Sequence, residues 1–73
     1  MTVEIWGKAN CPSCTKAKAL VEAKNLSYVY KQLDIDFTRE QVFEEFPTAR
    51  TFPQIKIDNV AIGGYQELYD KVG

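Results

Sequence analysis

Two cysteines separated by two residues, Cys11-Pro12-Ser13-Cys14, lie between a stretch with strand periodicity and a stretch with helical periodicity. They are the only cysteines in 73 residues. A bridge between them closes so small a loop that it adds little through chain entropy. A C-x-x-C pair beside a βαβ pattern in a small chain reads instead as a redox dithiol.

The flanking patterns predict the element order. Thr2 to Trp6 alternates polar and apolar residues and reads as a first strand. Gly7 to Asn10 is a loop feeding the dithiol, and Pro12 suits the first turn of a helix because its missing N–H costs nothing there. Cys14, Ala17, Leu20 and Val21 form an apolar stripe at helical spacing, while Lys16, Lys18 and Glu22 face outward. Lys24-Asn25 ends this helix, with Asn25 as a left-handed cap. Leu26 to Leu33 is a second strand rich in β-formers, and Asp34 to Phe37 is a connection.

Thr38-Arg39-Glu40-Gln41 matches a capping box. Val42, Phe43 and Phe46 are expected on the inner face of the helix that follows, which Pro47 terminates. Gln54 to Ile57 and Val60 to Ile62 are strands joined by an Asp58-Asn59 hairpin turn, with Ile55 and Ile57 on one face. Gly63-Gly64 breaks the pattern before a short last helix, Tyr65 to Val72, that buries Leu68, Tyr69 and Val72. The expected fold is α/β, in the order β-α-β-α-β-β-α. Its mixed four-stranded sheet carries helices on both faces, a thioredoxin-like architecture with one domain over residues 1–73. Cys11 then falls at the carboxyl end of the first strand, where open α/β sheets place their sites.

Composition narrows the function. Hydrophobic residues make up 45% and charged residues 26%, the balance of a globular chain. A net charge of −1 gives no reason to expect nucleic acid as a partner. Residues 1–31 carry a balance of +3 and residues 32–73 a balance of −4. The positive part holds the dithiol, which favours a thiolate and draws a small anionic thiol; for Lys16, Lys18 and Lys24 an ordinary solvated helix face is the preferred reading. There is no histidine, which excludes Cys–His catalysis and Cys/His zinc sites. No secretory or membrane-spanning pattern is read, so the expectation is a reducing, cytoplasmic setting, no membrane partner and a monomer.

Cys11 precedes the helix and Cys14 lies in its first turn. The positive helix terminus and Lys8 favour thiolate on Cys11, whereas Cys14, further in, stays mostly protonated. Cys11 is thus expected to attack a disulfide and Cys14 to resolve the mixed disulfide. Two thiols are too few for a zinc site in one chain, and a purely structural disulfide fits poorly with the missing export signal. No metal is expected.

Three blocks carry a resemblance over nearly the whole chain. They are Lys8 to Cys14, then Thr51-Phe52-Pro53-Gln54-Ile55, then Gly63-Gly64-Tyr65-Gln66-Glu67-Leu68. Together they resemble a glutaredoxin; the Trp-preceded C-G-P-C of thioredoxins does not occur. The resemblance implies thiol–disulfide exchange with glutathione as reductant, acting on protein disulfides and glutathionylated proteins. A ribonucleotide reductase is the client that the family suggests. It further implies a cis Pro53, which the residues alone would have left as a trans turn proline, and a Phe52 backbone that pairs with the cysteinyl unit of glutathione. Thr51 and Ser13 belong to the same implied site. Gly63-Gly64 reads from composition as a strand-to-helix break; the resemblance makes Gly64, Tyr65 and Gln66 the holders of the γ-glutamyl end. Lys8 would face the glycyl carboxylate, with Arg39 or Gln41 assisting.

The sequence departs from the family pattern at three of these positions. Ser13 replaces a common Tyr, Phe52 a common Val, and Gln66 a common acid. Trp6, Tyr28, Tyr30, Phe43 and Phe46 are read as core or surface packing. Three other readings compete: a redoxin recharged by thioredoxin reductase, an iron–sulfur carrier in which two chains share a cluster through Cys11 and two glutathiones, and a non-catalytic redox-sensing interaction module.

Overall fold

The computed structural model describes residues 1–73. Its elements are β1 (Thr2–Gly7), α1 (Pro12–Ala23), β2 (Ser27–Gln32), α2 (Arg39–Glu45), β3 (Gln54–Ile57), β4 (Val60–Gly63) and α3 (Tyr65–Val72). The sheet order is β2-β1-β3-β4. β1 and β2 are parallel across α1, whereas β3 runs antiparallel to both β1 and β4. This is the thioredoxin-like arrangement that the periodicities predict. β1 runs one residue further than expected, through Gly7, and β2 is one residue shorter at each end.

The pleat of β1 divides the core. Val3 and Ile5 point to one face and are fully buried with Ala17 and Val21 of α1, Ile55 of β3 and Leu68 of α3. Trp6 points to the other face and packs with Phe37, Val42 and Phe46. Burying the large apolar side chains on each face contributes roughly 1.5–3 kcal/mol apiece, before the entropy of ordering them is set against it.

Local sequence signals explain the element ends. Asn25 adopts φ 55° after α1, as a left-handed terminator should. Asp58 and Asn59 both take positive φ, 50° and 68°, which suits the twist of the β3–β4 hairpin. The Thr38 hydroxyl accepts from Gln41 N–H at 3.2 Å, and Gln41 Oε1 accepts from Thr38 N–H at 2.7 Å, completing the capping box.

Two expected core residues lie elsewhere. Phe43 is 47% exposed, because the face that α2 packs on is already filled by Phe37, whose ring centroid lies 4.6 Å from that of Trp6. Val42 and Phe46, one turn apart, take the remaining room. Tyr69 is 49% exposed, since the inward stripe of α3 runs through Tyr65, Leu68 and Val72 and leaves Tyr69 on its flank. Conversely Phe37, assigned to a connection, is buried and bridges back to Leu33.

Candidate active site

Cys11 and Cys14 form a disulfide at the start of α1, with their Cα atoms 5.2 Å apart. Asn10 turns the loop with φ 55° and delivers Cys11 to the N-cap position, and Pro12 opens the helix. The backbone N–H of Cys14 donates to Cys11 Sγ at 3.1 Å. Such an amide, backed by the helix dipole, stabilises negative charge on that sulfur once the disulfide is opened. Cys11 retains 9% exposure and Cys14 only 1%, so the helix presents one sulfur and hides the other.

A second element meets the dithiol from β3. The Phe52 carbonyl oxygen lies 3.9 Å from Cys11 Sγ, and the Phe52–Pro53 peptide is cis. Gln54 Nε2 donates to Thr51 O at 2.7 Å and braces this loop. The Phe52 ring stacks on Phe37 at 6.4 Å, which ties the loop to the Trp6 side of the core.

The structure gathers most of the residues singled out from sequence along one open groove of about 440 Å³. Ser13 of α1 and the Thr51-Phe52-Pro53 segment form one side. Gly64, Tyr65 and Gln66, at the start of α3, form the other. Glu67, not singled out from sequence, also lines it and accepts from Gly64 N–H at 3.2 Å. The signal was there, since a Glu three positions into a helix commonly caps it. Gly63 makes this cap possible, because its φ of 118° suits glycine and an added Cβ would lie 2.7 Å from Glu67 Oε1. The Gln66 side chain donates to Asp70 at 3.0 Å, along the helix.

Lys8 is not in that groove. Its Nζ lies 5.8 Å from the Phe52 ring centroid, and the residue lines a second groove, of about 730 Å³, on the other flank of Cys11. Arg39 borders a small cavity beside Thr51 and Phe52. Gln41 does not join the site: the capping box holds its side chain, and it borders hollows with Asp36 and Phe37 instead. The second groove also contains Thr15, Lys18, Tyr30 and Gln32. Burial pushes the Tyr30 phenol up from its ordinary value, so it is neutral at physiological pH. No group of three His, Cys, Asp or Glu side chains comes together in the structure, and no helix is long and apolar enough to cross a membrane.

Comparison with known proteins agrees with this geometry. The glutaredoxin family model matches residues 3–62. The chain is 40% identical to glutaredoxin 1 of Rickettsia felis, over 94% of this chain and 70% of that protein. It is 37% identical to glutaredoxin 3 of Escherichia coli, over 92% of this chain and 81% of that one. Its fold is similar to that of the NMR structure of reduced Escherichia coli glutaredoxin, with a TM-score of 0.83 and 30% identity over 99% of this chain and 93% of the other. With the fold, the dithiol at a helix start and these relatives in agreement, the chain belongs to the glutaredoxin family, and Cys11 and Cys14 are its redox-active pair.

Proposed function

We propose that the protein is a glutathione-dependent thiol–disulfide oxidoreductase that reduces protein disulfides and glutathione mixed disulfides. The observation that supports it best is the groove running from Ser13 past the Phe52 backbone to the first amides of α3. A tripeptide can lie there in extended form. Its cysteinyl backbone pairs with Phe52 like an added strand, between Thr51 and Pro53. Its γ-glutamyl carboxylate meets the free amides of Tyr65 and Gln66, beside the Gly64 amide that Glu67 already caps. Lys8, beside Phe52, meets the glycyl carboxylate.

The reaction follows from the two sulfurs. In the reduced protein, the Cys11 thiolate attacks one sulfur of a client disulfide. That bond breaks, one client sulfur leaves as a thiolate and takes up a proton, and the client stays bound to Cys11. Cys14 then loses its proton and attacks Cys11 Sγ, which releases the second client thiol and forms the Cys11–Cys14 disulfide. One glutathione thiolate opens this bond at Cys11 and frees Cys14; a second removes the first as glutathione disulfide. Two electrons pass from two glutathiones to one client. The disulfide that a ribonucleotide reductase forms in turnover is a client of this kind, and a reducing cytoplasm is the setting in which the cycle runs.

The test is turnover of a glutathionylated substrate with NADPH, glutathione and glutathione reductase, set against the same assay with thioredoxin reductase. Turnover with the first system alone is expected. Turnover with thioredoxin reductase and none with glutathione would overturn the reading.

A further inference from the structure

The two grooves that flank the dithiol differ in charge. The one beside α3 has a single charged lining residue, the carboxylate of Glu67. The one on the β2 side is lined by Lys8 and Lys18 and has no acidic residue. Neither lysine has a carboxylate within ion-pairing distance, because the ion pairs of this structure are Lys31–Glu4 and Lys56–Glu45. Both ammonium groups rest instead on aromatic rings, Lys8 at 5.8 Å from Phe52 and Lys18 at 5.6 Å from Tyr30. Cys11 itself forms part of the wall. Thr15 and Lys18 follow Cys11 at i+4 and i+7, so one helical stripe leads from the sulfur along the groove.

We infer that this basic groove is the docking site for the client protein, and that it selects disulfides flanked by acidic residues. Glutathione occupies the groove on the opposite flank during recharging, after the client has left. Only in that half of the cycle does Lys8, which stands over Phe52 between the two grooves, turn to the glycyl carboxylate of glutathione. The inference rests on Cys11 being the attacking thiol, as proposed above. An extended acidic segment next to the client cysteine would lie along Thr15 and Gln32, with its carboxylates at Lys8 and Lys18. The Tyr30 ring, neutral and partly buried, supplies an apolar floor. Unpaired lysines beside the reacting sulfur act mainly on the encounter rate, and salt screens that effect.

The peptide comparison uses the prereduced protein in single turnover, so glutathione plays no part in that readout, and the coupled assay serves as a separate control. Two disulfide peptides of equal length are compared, one with Asp and Glu beside the cysteines and one with Lys, together with an uncharged small disulfide. Wild type is expected to reduce the acidic peptide roughly 5- to 50-fold faster than the basic one at low salt, with the ratio collapsing towards unity near about 1 M salt. Lys18→Glu is expected to abolish or reverse the preference. It should leave the uncharged disulfide, and the KM for glutathione in the coupled assay, within about twofold of wild type. Three outcomes would overturn the inference: no preference in wild type, a preference that survives in Lys18→Glu, or an equal loss on the uncharged disulfide. A rise in the KM for glutathione would reassign the groove to glutathione. Failure of wild type on every disulfide would instead count against Cys11 as the attacking thiol.

Discussion

The backbone N–H of Cys14 points at Cys11 Sγ from 3.1 Å, so the residue proposed to resolve the mixed disulfide also directs a dipole at the sulfur proposed to attack. That dipole belongs to the backbone and survives replacement of the Cys14 side chain. Cys14→Ser is therefore expected to keep its activity on glutathione mixed disulfides, where only Cys11 reacts. On a protein disulfide it should lose ~100-fold or more, because an intramolecular thiol of high effective concentration is gone. Cys11→Ser should lose both reactions. Parallel assays on a glutathionylated peptide and an intact protein disulfide separate the cases, and equal losses from both variants would refute the division of roles.

Gly7 lies under Tyr30. An added Cβ would press into the Tyr30 hydroxyl and sit 3.2 Å from the Cys14 Cβ. Gly7→Ala should cost about 1–3 kcal/mol through overpacking. Part of that cost should vanish in a Tyr30→Phe background, where the hydroxyl is absent. Urea midpoints of the four proteins form a double-mutant cycle that measures the coupling. A cost that is identical in both backgrounds would mean that the hydroxyl yields freely and the strain lies with the ring carbon Cζ, 2.8 Å from the added Cβ and retained by Phe, or with Cys14.

The contrast between Gly7 and Asn25 shows which features the sequence made legible. Asn25, the Thr38–Gln41 box and the Asp58-Asn59 turn are set by residues within a few positions of one another, and each was readable. The Gly7–Tyr30 contact joins β1 to β2, and nothing local announces it. Phe37 and Phe43 exchanged roles for the same reason: helical spacing nominated Phe43, but a bridge to Leu33 and stacking on Trp6 gave the core position to Phe37. The dithiol was legible because its chemistry is written in four consecutive residues. Resemblance, rather than periodicity, brought Thr51 to Pro53 and Gly64 to Gln66 into one groove. By sequence Lys18 reads as a solvated face, although its spacing from Cys11 is visible; only the approach of Tyr30 and Lys8 makes that face a groove.

α2 is seven residues long and contributes Val42 to the Trp6 cluster, with Phe46 as its C-cap. So short a helix depends on its ends. Thr38→Ala removes the acceptor for Gln41 N–H and should cost about 1 kcal/mol. Thr38→Ser should recover most of it, because the hydroxyl returns. Thermal or urea unfolding checks both, and an Ala variant as stable as wild type would mean that packing alone holds α2.

Glu4 gives the fold a pH dependence whose sign is fixed by its partners. Burial alone would raise its carboxyl, but Trp6 Nε1 donates to it at 2.6 Å and Lys31 Nζ lies 3.2 Å away, and together these hold it below the ordinary value of 4.5. Lys56 adds a weaker pull in the same direction. Below 4.5 the unfolded chain takes up a proton that the folded chain resists, so this contribution is complete above 4.5 and is lost as pH falls through the lower folded value. Glu4→Gln keeps an acceptor for Trp6 but loses the charge facing Lys31. It should cost about 1–2 kcal/mol at neutral pH and progressively less in acid, as wild type loses the same contribution. Stability curves from about pH 7 to about pH 3 on both proteins test this, and a constant gap across that range would show that the carboxylate does not govern the acid limb. Lys31 also lies 4.8 Å from the Trp6 ring centroid, so Lys31→Met, which retains the stem but not the charge, should reproduce the flattened acid limb while keeping most of the packing.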